Sequence, residues 1–245
     1  MNNYLRLINS IKWRVYRLNW FLFRYKHNTL LKVPSKLSEK EQKACFDKEK
    51  NIHSVIQQFG EQTFLEIGIG SDANIERLQL LDELNISYTG VDFKFVCDKH
   101  RLRISQSGIK NLKFDFLTNE SGTYSWNLME LARNNQKFNM IYLDGHHTLY
   151  VDFPALILSH FLLKDGGLLL IDDVTWTLEF MKNVMSRFYN EYYFYRNVYD
   201  FDLYTSTQQK TPHIKFISDF FISKFNYVKV DEFSSDDFFV LRKQQ

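Results

Sequence analysis

An apolar, strand-like run, Thr63-Phe64-Leu65-Glu66-Ile67, opens directly into Gly68-Ile69-Gly70-Ser71, and a helical pattern over 74–84 follows within a few residues. Few folds accommodate such a step. Gly68 and Gly70 permit a tight turn and let a ligand approach the backbone, and the helix behind them presents free N–H groups at its start. The same alternation repeats downstream. Strands are predicted at Tyr88–Val91, Leu112–Phe116, Met140–Leu143 and Leu168–Ile171, with helices over Trp126–Asn134 and Phe153–Leu163. One more helix, at 51–59, precedes the first strand, and two others are expected at 176–190 and 214–225. Tyr227–Phe233 and Phe238–Arg242 read as a closing hairpin around Ser234–Asp237. The fold class that follows is α/β, a doubly wound, mostly parallel sheet with a C-terminal antiparallel hairpin. An apolar fraction of 44% over 245 residues suffices for its core.

The chain divides by charge. Residues 1–38 carry Arg6, Lys12, Arg14, Arg17, Arg24, Lys26, Lys32 and Lys36 with no acidic residue, whereas the whole chain has a formal charge of only +2. At about 100° per residue, Ile8, Ile11, Val15, Leu18, Leu22 and Tyr25 form one stripe of a basic amphipathic helix. Residues 5–25 can thus lie on an anionic membrane surface, pack on the protein's own core, or meet a second subunit in an oligomer. A secretory leader is not expected, because Arg14 and Arg17 break the apolar region. Pro34, Ser35, Ser38 and the charged run over 39–50 read as a linker, leaving 51–245 as the main domain. Cys45 and Cys97 have no paired spacing, so the expected location is the cytoplasm, extending to the inner face of the membrane if the basic helix binds lipid.

Asp92 closes the second strand 22 residues after Gly70, where a carboxylate can accept both hydroxyls of an adenosine ribose. Gly68-Ile69-Gly70-Ser71-Asp72-Ala73 also fits the dinucleotide pattern G-x-G-x-x-A, which keeps a nicotinamide-dependent oxidoreductase in view. Glu66 points elsewhere. It resembles the acidic residue of the E-x-G-x-G motif of class I S-adenosylmethionine (SAM)-dependent methyltransferases, which helps hold the amino-acid end of the cofactor. The candidate cofactor residues are Glu66, Gly68, Gly70, Ser71 and Asp92, with Asp115, after the third predicted strand, for the adenine edge.

Asp144-Gly145-His146-His147-Thr148-Leu149-Tyr150 follows the fourth strand and Asp172-Asp173 the fifth, both at the edge where open α/β sheets bind ligands. Three carboxylates meeting there repel one another unless protonated or bridged by a cation, and oxygen ligands suit Mg²⁺ or another hard divalent ion. With Lys164-Asp165-Gly166-Gly167, these residues resemble the D-G-x-H-x-x-Y, K-x-G-G and D-D pattern of the methyltransferase-24 family, across roughly residues 50–175. The resemblance implies Asp144, Asp172 and Asp173 as metal ligands and His147 as the general base; His146 is given no role beyond support. It implies a SAM-dependent, divalent-metal-assisted O-methyltransferase acting on a hydroxyl of a sugar, glycan or other small molecule. An RNA or DNA methyltransferase using the basic N-terminal segment is the main alternative. Nucleic acid is not the expected partner, because no N/D-P-P-Y-type tetrapeptide follows the fourth strand.

Overall fold

The computed structural model describes residues 39–59, 62–70, 74–119, 124–182 and 201–244. The basic helix expected over residues 1–38, Ser71, and the tyrosine-rich stretch at 189–199 lie outside them. The chain separates into two units, Leu37–Leu178 with Lys210–Gln245, and Met1–Lys36 with Glu179–Gln209. Of the latter, the short piece Phe201–Gln209 is closed on itself by the Gln209 side-chain amide, which donates to the carbonyls of Phe201 and Tyr204 at 2.9 and 3.0 Å.

The larger unit runs α1 (Glu39–Phe59), β1 (Thr63–Ile67), α2 (Ile75–Glu83), β2 (Ser87–Phe93), α3 (Lys94–Gln106), β3 (Phe114–Asn119), α4 (Ser125–Arg133), β4 (Phe138–Leu143), α5 (Leu149–Leu162) and β5 (Leu163–Ile171). After a short helix α6 (Ser206–Lys210) at the junction of the two units, it continues with α7 (His213–Lys224), β6 (Tyr227–Lys229) and β7 (Phe239–Lys243). The seven strands lie in the order β3-β2-β1-β4-β5-β7-β6. The first five are parallel, and β7 pairs antiparallel with both β5 and β6. The doubly wound sheet with an antiparallel end is therefore as the sequence pattern indicates. Its direction of winding reverses at β1, which pairs with β2 on one side and β4 on the other.

Period-two alternation sorts the strands onto two cores. Phe64 of β1, Met140 and Tyr142 of β4 and Leu168 and Leu170 of β5 face one core, with Ile52, Val55 and Ile56 of α1. Leu65, Ile67, Ile141, Leu143, Leu169 and Ile171 face the other, against α4, α5 and α7. Each fully buried aliphatic side chain contributes roughly 1.5–3 kcal/mol relative to exposure. The same alternation puts Glu66, two residues after Phe64, on the α1 face of the sheet.

Three expectations need correction. Residues 39–50 are not a linker but the first half of α1, because Lys48, Ile52, Val55 and Ile56 recur at helical spacing and the last three are wholly buried. The charged composition of that half disguised a helix with one apolar face. Helix α3 was missed, since its buried positions, Val96, Cys97, His100 and Ile104, are interrupted by lysines and arginines. Strand β3 runs to Asn119 rather than ending at Phe116, because its hydrogen bonds to β2 carry the polar Thr118 and Asn119 to the level of Asp92 and Phe93.

Candidate active site

The C-terminal ends of β1, β2, β4 and β5 deliver the site, and the backbone at β1 and β4 sets its spacing. Asp144 N–H donates to the carbonyl of Ile67 at 3.0 Å, and Gly68 N–H donates to that of Val91 at 3.0 Å. Gly68 has φ +82°, and a Cβ placed on it would sit 1.9 Å from the Asp144 carbonyl oxygen. Only glycine fits between these strand ends. Asp92 stiffens the turn from the next strand. Its Oδ2 accepts from the amides of Ile69 (2.8 Å) and Gly70 (3.1 Å), and its Oδ1 from Phe93 (2.6 Å). Burial raises its pKa, which those three hydrogen bonds oppose.

Glu66 is buried beneath this turn. Its Oε1 accepts from Arg77 at 2.6 Å and its Oε2 from the Tyr88 hydroxyl at 2.8 Å. Arg77 is itself buried, bridges to Glu49 of α1, and lies over the Tyr142 ring at 4.8 Å. Tyr142 continues the chain by donating to Asp172 Oδ2 at 2.5 Å. Arg77, Tyr88 and Tyr142 thus form a polar layer under the two loops. Sequence reading missed them, because an arginine on a helix and two strand tyrosines carry no motif.

The loop after β4 is folded around one carboxylate. Asp152, with no exposed surface, accepts from the amide of His146 at 3.0 Å and from that of Thr148 at 2.9 Å. Thr148 also caps α5, accepting from Val151 N–H. A Cβ on Gly145 would meet Asp152 Oδ1 at 2.0 Å, so the glycine of Asp-Gly-His-His is required for the wrap. The wrap holds His147 at φ +60°, an uncommon conformation for a residue with a side chain. Its Nε2 lies 3.4 Å from Asp173 Oδ2 and 3.9 Å from Asp144 Oδ1, and its ring packs against Trp176 with centroids 5.2 Å apart. Burial lowers the His147 pKa to about 4, leaving a neutral imidazole at physiological pH. His146 turns away to Thr148 Oγ1 at 3.1 Å.

Asp144, His147 and Asp173 each offer one ligand atom, all within 4.8 Å of one another. Asp172, expected as a third carboxylate ligand, is placed differently. Its Oδ2 takes Lys48 Nζ at 2.7 Å as well as Tyr142, and its Oδ1 takes the amide of Asp173 at 2.7 Å. Lys48 lowers the Asp172 pKa against the effect of burial, whereas burial and the neighbouring Asp172 charge raise those of Asp144 and Asp173. The residue brought in from α1 was not anticipated. Its signal was the helical spacing of Lys48, Ile52, Val55 and Ile56 in a stretch read as linker.

Asp115 does not join the site. It pairs with Thr89 in the body of the sheet, is exposed, and accepts from the Phe116 amide at 2.8 Å. Because β3 continues to Asn119, Thr118 instead stands level with Asp92.

No family model and no curated protein matches the sequence. Solved structures do. The O-methyltransferase from Bacillus cereus in complex with SAH is similar with a TM-score of 0.55 at 13% identity, covering 93% of this chain and 90% of that one. The O-methyltransferase TomG from Streptomyces achromogenes, involved in tomaymycin synthesis and in complex with SAM, gives 0.53 at 9% identity, covering 90% and 87%. The chain has the Rossmann-like methyltransferase fold. An O-methyltransferase family protein from Burkholderia thailandensis gives 0.49 at 16% identity; this chain covers 60% of its length, and 84% of this chain is covered. In a methyltransferase fold of this strand order, ligands enter outside the carboxyl ends of the strands where the winding reverses. Here that edge carries Gly68, Gly70, Asp92, Asp144 and Asp173.

Proposed function

We propose that the protein is a SAM-dependent O-methyltransferase, acting on a hydroxyl of a sugar, glycan or other small molecule with the help of a divalent cation. One observation carries the reading. The glycine turn held by Asp92 and the cluster of Asp144, His147 and Asp173 are joined through the Gly68–Asp144 backbone contact, which supports a methyl donor at the first and an acceptor hydroxyl at the second.

Gly68 and Gly70 leave the backbone open to the donor, and Asp92, with Oδ2 taken by two amides and Oδ1 by that of Phe93, keeps one lone pair on Oδ1 for a ribose hydroxyl. SAM, when bound, supplies an electrophilic methyl group. Two carboxylates and a neutral imidazole within 4.8 Å of one another fit a divalent ion. Such an ion supplies positive charge that lowers the pKa of a hydroxyl beside it. His147 Nε2 has one lone pair, and that pair either holds a cation or takes the acceptor's proton, not both at once. The 4.8 Å grouping favours the first role, and neutrality at pH 7 is compatible with each. Much of the rate enhancement then comes from positioning, with Asp152 fixing the β4 loop and Glu66 and Arg77 fixing the floor of the donor site.

The test pairs binding with transfer. Calorimetry is expected to show SAM binding at micromolar levels and no NAD binding, with Asp92→Ala weakening SAM by roughly 1–3 kcal/mol. Labelled SAM with a panel of hydroxylated acceptors is expected to show transfer that EDTA abolishes and Mg²⁺ or Mn²⁺ restores. His147→Ala separates its two roles. Loss of metal binding marks a ligand, whereas retained metal binding with about 10²–10⁴-fold slower transfer marks a base. NAD binding without SAM binding removes the proposal.

A further inference from the structure

The acidic edge contains a cation of its own. Lys48 Nζ lies 2.7 Å from Asp172 Oδ2 and 3.8 Å from Asp173 Oδ1. It is not a loosely held surface lysine. Its side chain is 24% exposed and that of Asp172 not at all. The helix beneath fixes its place. Ile52, Val55 and Ile56 have no exposed surface, and Lys48 precedes them by one and two turns on the same face of α1. The adjacent Glu49 is tied to Arg77. Asp173 is divided between two sides, with Oδ1 toward Lys48 and Oδ2 toward His147 at 3.4 Å.

We propose that Lys48 determines how this edge binds a divalent ion. Its ammonium occupies Asp172, so Asp144, His147 and Asp173 are left as the ligand set, and its charge weakens binding of any cation there. This inference rests on the metal part of the proposed function. Two physical effects support it. A fixed positive charge beside Asp173 repels an incoming dication at close range. Asp172 accepts from Lys48, Tyr142 and the Asp173 amide, and its side chain has no exposed surface, so its one remaining lone pair is not open to an incoming ion. The resulting set of one imidazole and two carboxylates favours a first-row transition ion over Mg²⁺, since imidazole is a poor partner for Mg²⁺, and Mn²⁺ is the member of that series used as a probe for its EPR signal.

The experiment is a titration of the purified protein with Mn²⁺, followed by the EPR signal of the free ion, for the wild type, Lys48→Met and the double variant Lys48→Met/Asp172→Asn. Lys48→Met is expected to bind Mn²⁺ at least about tenfold more tightly, by removing a repelling charge and releasing Asp172 as a ligand. Lys48→Met/Asp172→Asn removes the ion pair as a unit and keeps the net charge and the Asp144, His147 and Asp173 ligands, so it is expected to bind close to wild-type strength. Equal or weaker binding by Lys48→Met, including no binding by either protein, overturns the proposal, as does a tenfold loss in the double variant. Should Lys48→Met fail to fold, because three carboxylates then lack their compensating charge, the double variant, which leaves no half of the ion pair uncompensated, decides on the same criterion. SAM titration of the same proteins reports separately on the methyltransferase reading. SAM binding without a Lys48 effect on Mn²⁺ refutes this inference alone.

Discussion

Replacing Gly68 with alanine isolates the contact that joins the glycine turn after β1 to the loop after β4. Gly68 has φ +82°, and a left-handed backbone costs a side-chain-bearing residue about 1–2 kcal/mol. The larger effect is steric. The new Cβ falls 1.9 Å from the Asp144 carbonyl oxygen and 2.8 Å from its carbonyl carbon, whereas carbon and carbonyl oxygen ordinarily rest about 3.3 Å apart. Both obstructing atoms are backbone, so no rotamer change relieves the clash. The ends of β1 and β4 must separate, and the 3.0 Å bond from Asp144 N–H to the Ile67 carbonyl is the first to go. Leaving that buried pair unsatisfied adds about 1–3 kcal/mol, for a total near 2–5 kcal/mol. Gly70 provides the control. It has φ +72° but nothing within 4 Å of a built Cβ, so Gly70→Ala is expected to cost only the backbone contribution of about 1–2 kcal/mol. Urea unfolding followed by circular dichroism measures both. Gly68→Ala should also weaken metal binding, because it displaces Asp144, while Gly70→Ala should not. Equal destabilisation of the two variants, or unaltered metal binding in Gly68→Ala, would refute the argument.

Two further outcomes follow from the buried polar layer and the β4 loop. Arg77→Met leaves Glu66 buried with only Tyr88 as partner and is expected to cost about 3–5 kcal/mol in urea unfolding, with much of the loss recovered in the double variant Arg77→Met/Glu66→Gln. Burial, and then the charge of His147, lowers the His146 pKa to about 3, below the ordinary value near 6.5. The unfolded chain therefore takes up a proton there first as pH falls, so this contribution is complete above about pH 6.5 and is lost progressively toward pH 3. His146→Asn is expected to lose less melting temperature than wild type between pH 7 and 5, and parallel losses would exclude His146 as a source of acid sensitivity.

The elements best read from the sequence are those set by local pattern. Thr63–Ile67 is β1 residue for residue, β4 differs from expectation only at its start, and α5 starts four residues and ends one residue earlier than expected, because buried parallel strands and capped helices have local signatures. Asp115 was misplaced for the complementary reason. The polar end of β3 is a strand only because β2 provides hydrogen-bond partners up to Phe93.

The sequence by itself determined that a glycine turn and four carboxylates, Asp92, Asp144, Asp172 and Asp173, stand at strand ends, since strand periodicity and strand termini depend on near neighbours in the chain. Which cation each carboxylate meets was decided only in three dimensions. Lys48 and Asp172 are 124 residues apart, and nothing local to either specifies their 2.7 Å contact. It arises because Ile52, Val55 and Ile56 bury one face of α1 on the sheet, and the residue a turn before them on that face is a lysine. Hydrophobic burial fixed the helix, and the helix carried the charge into the site.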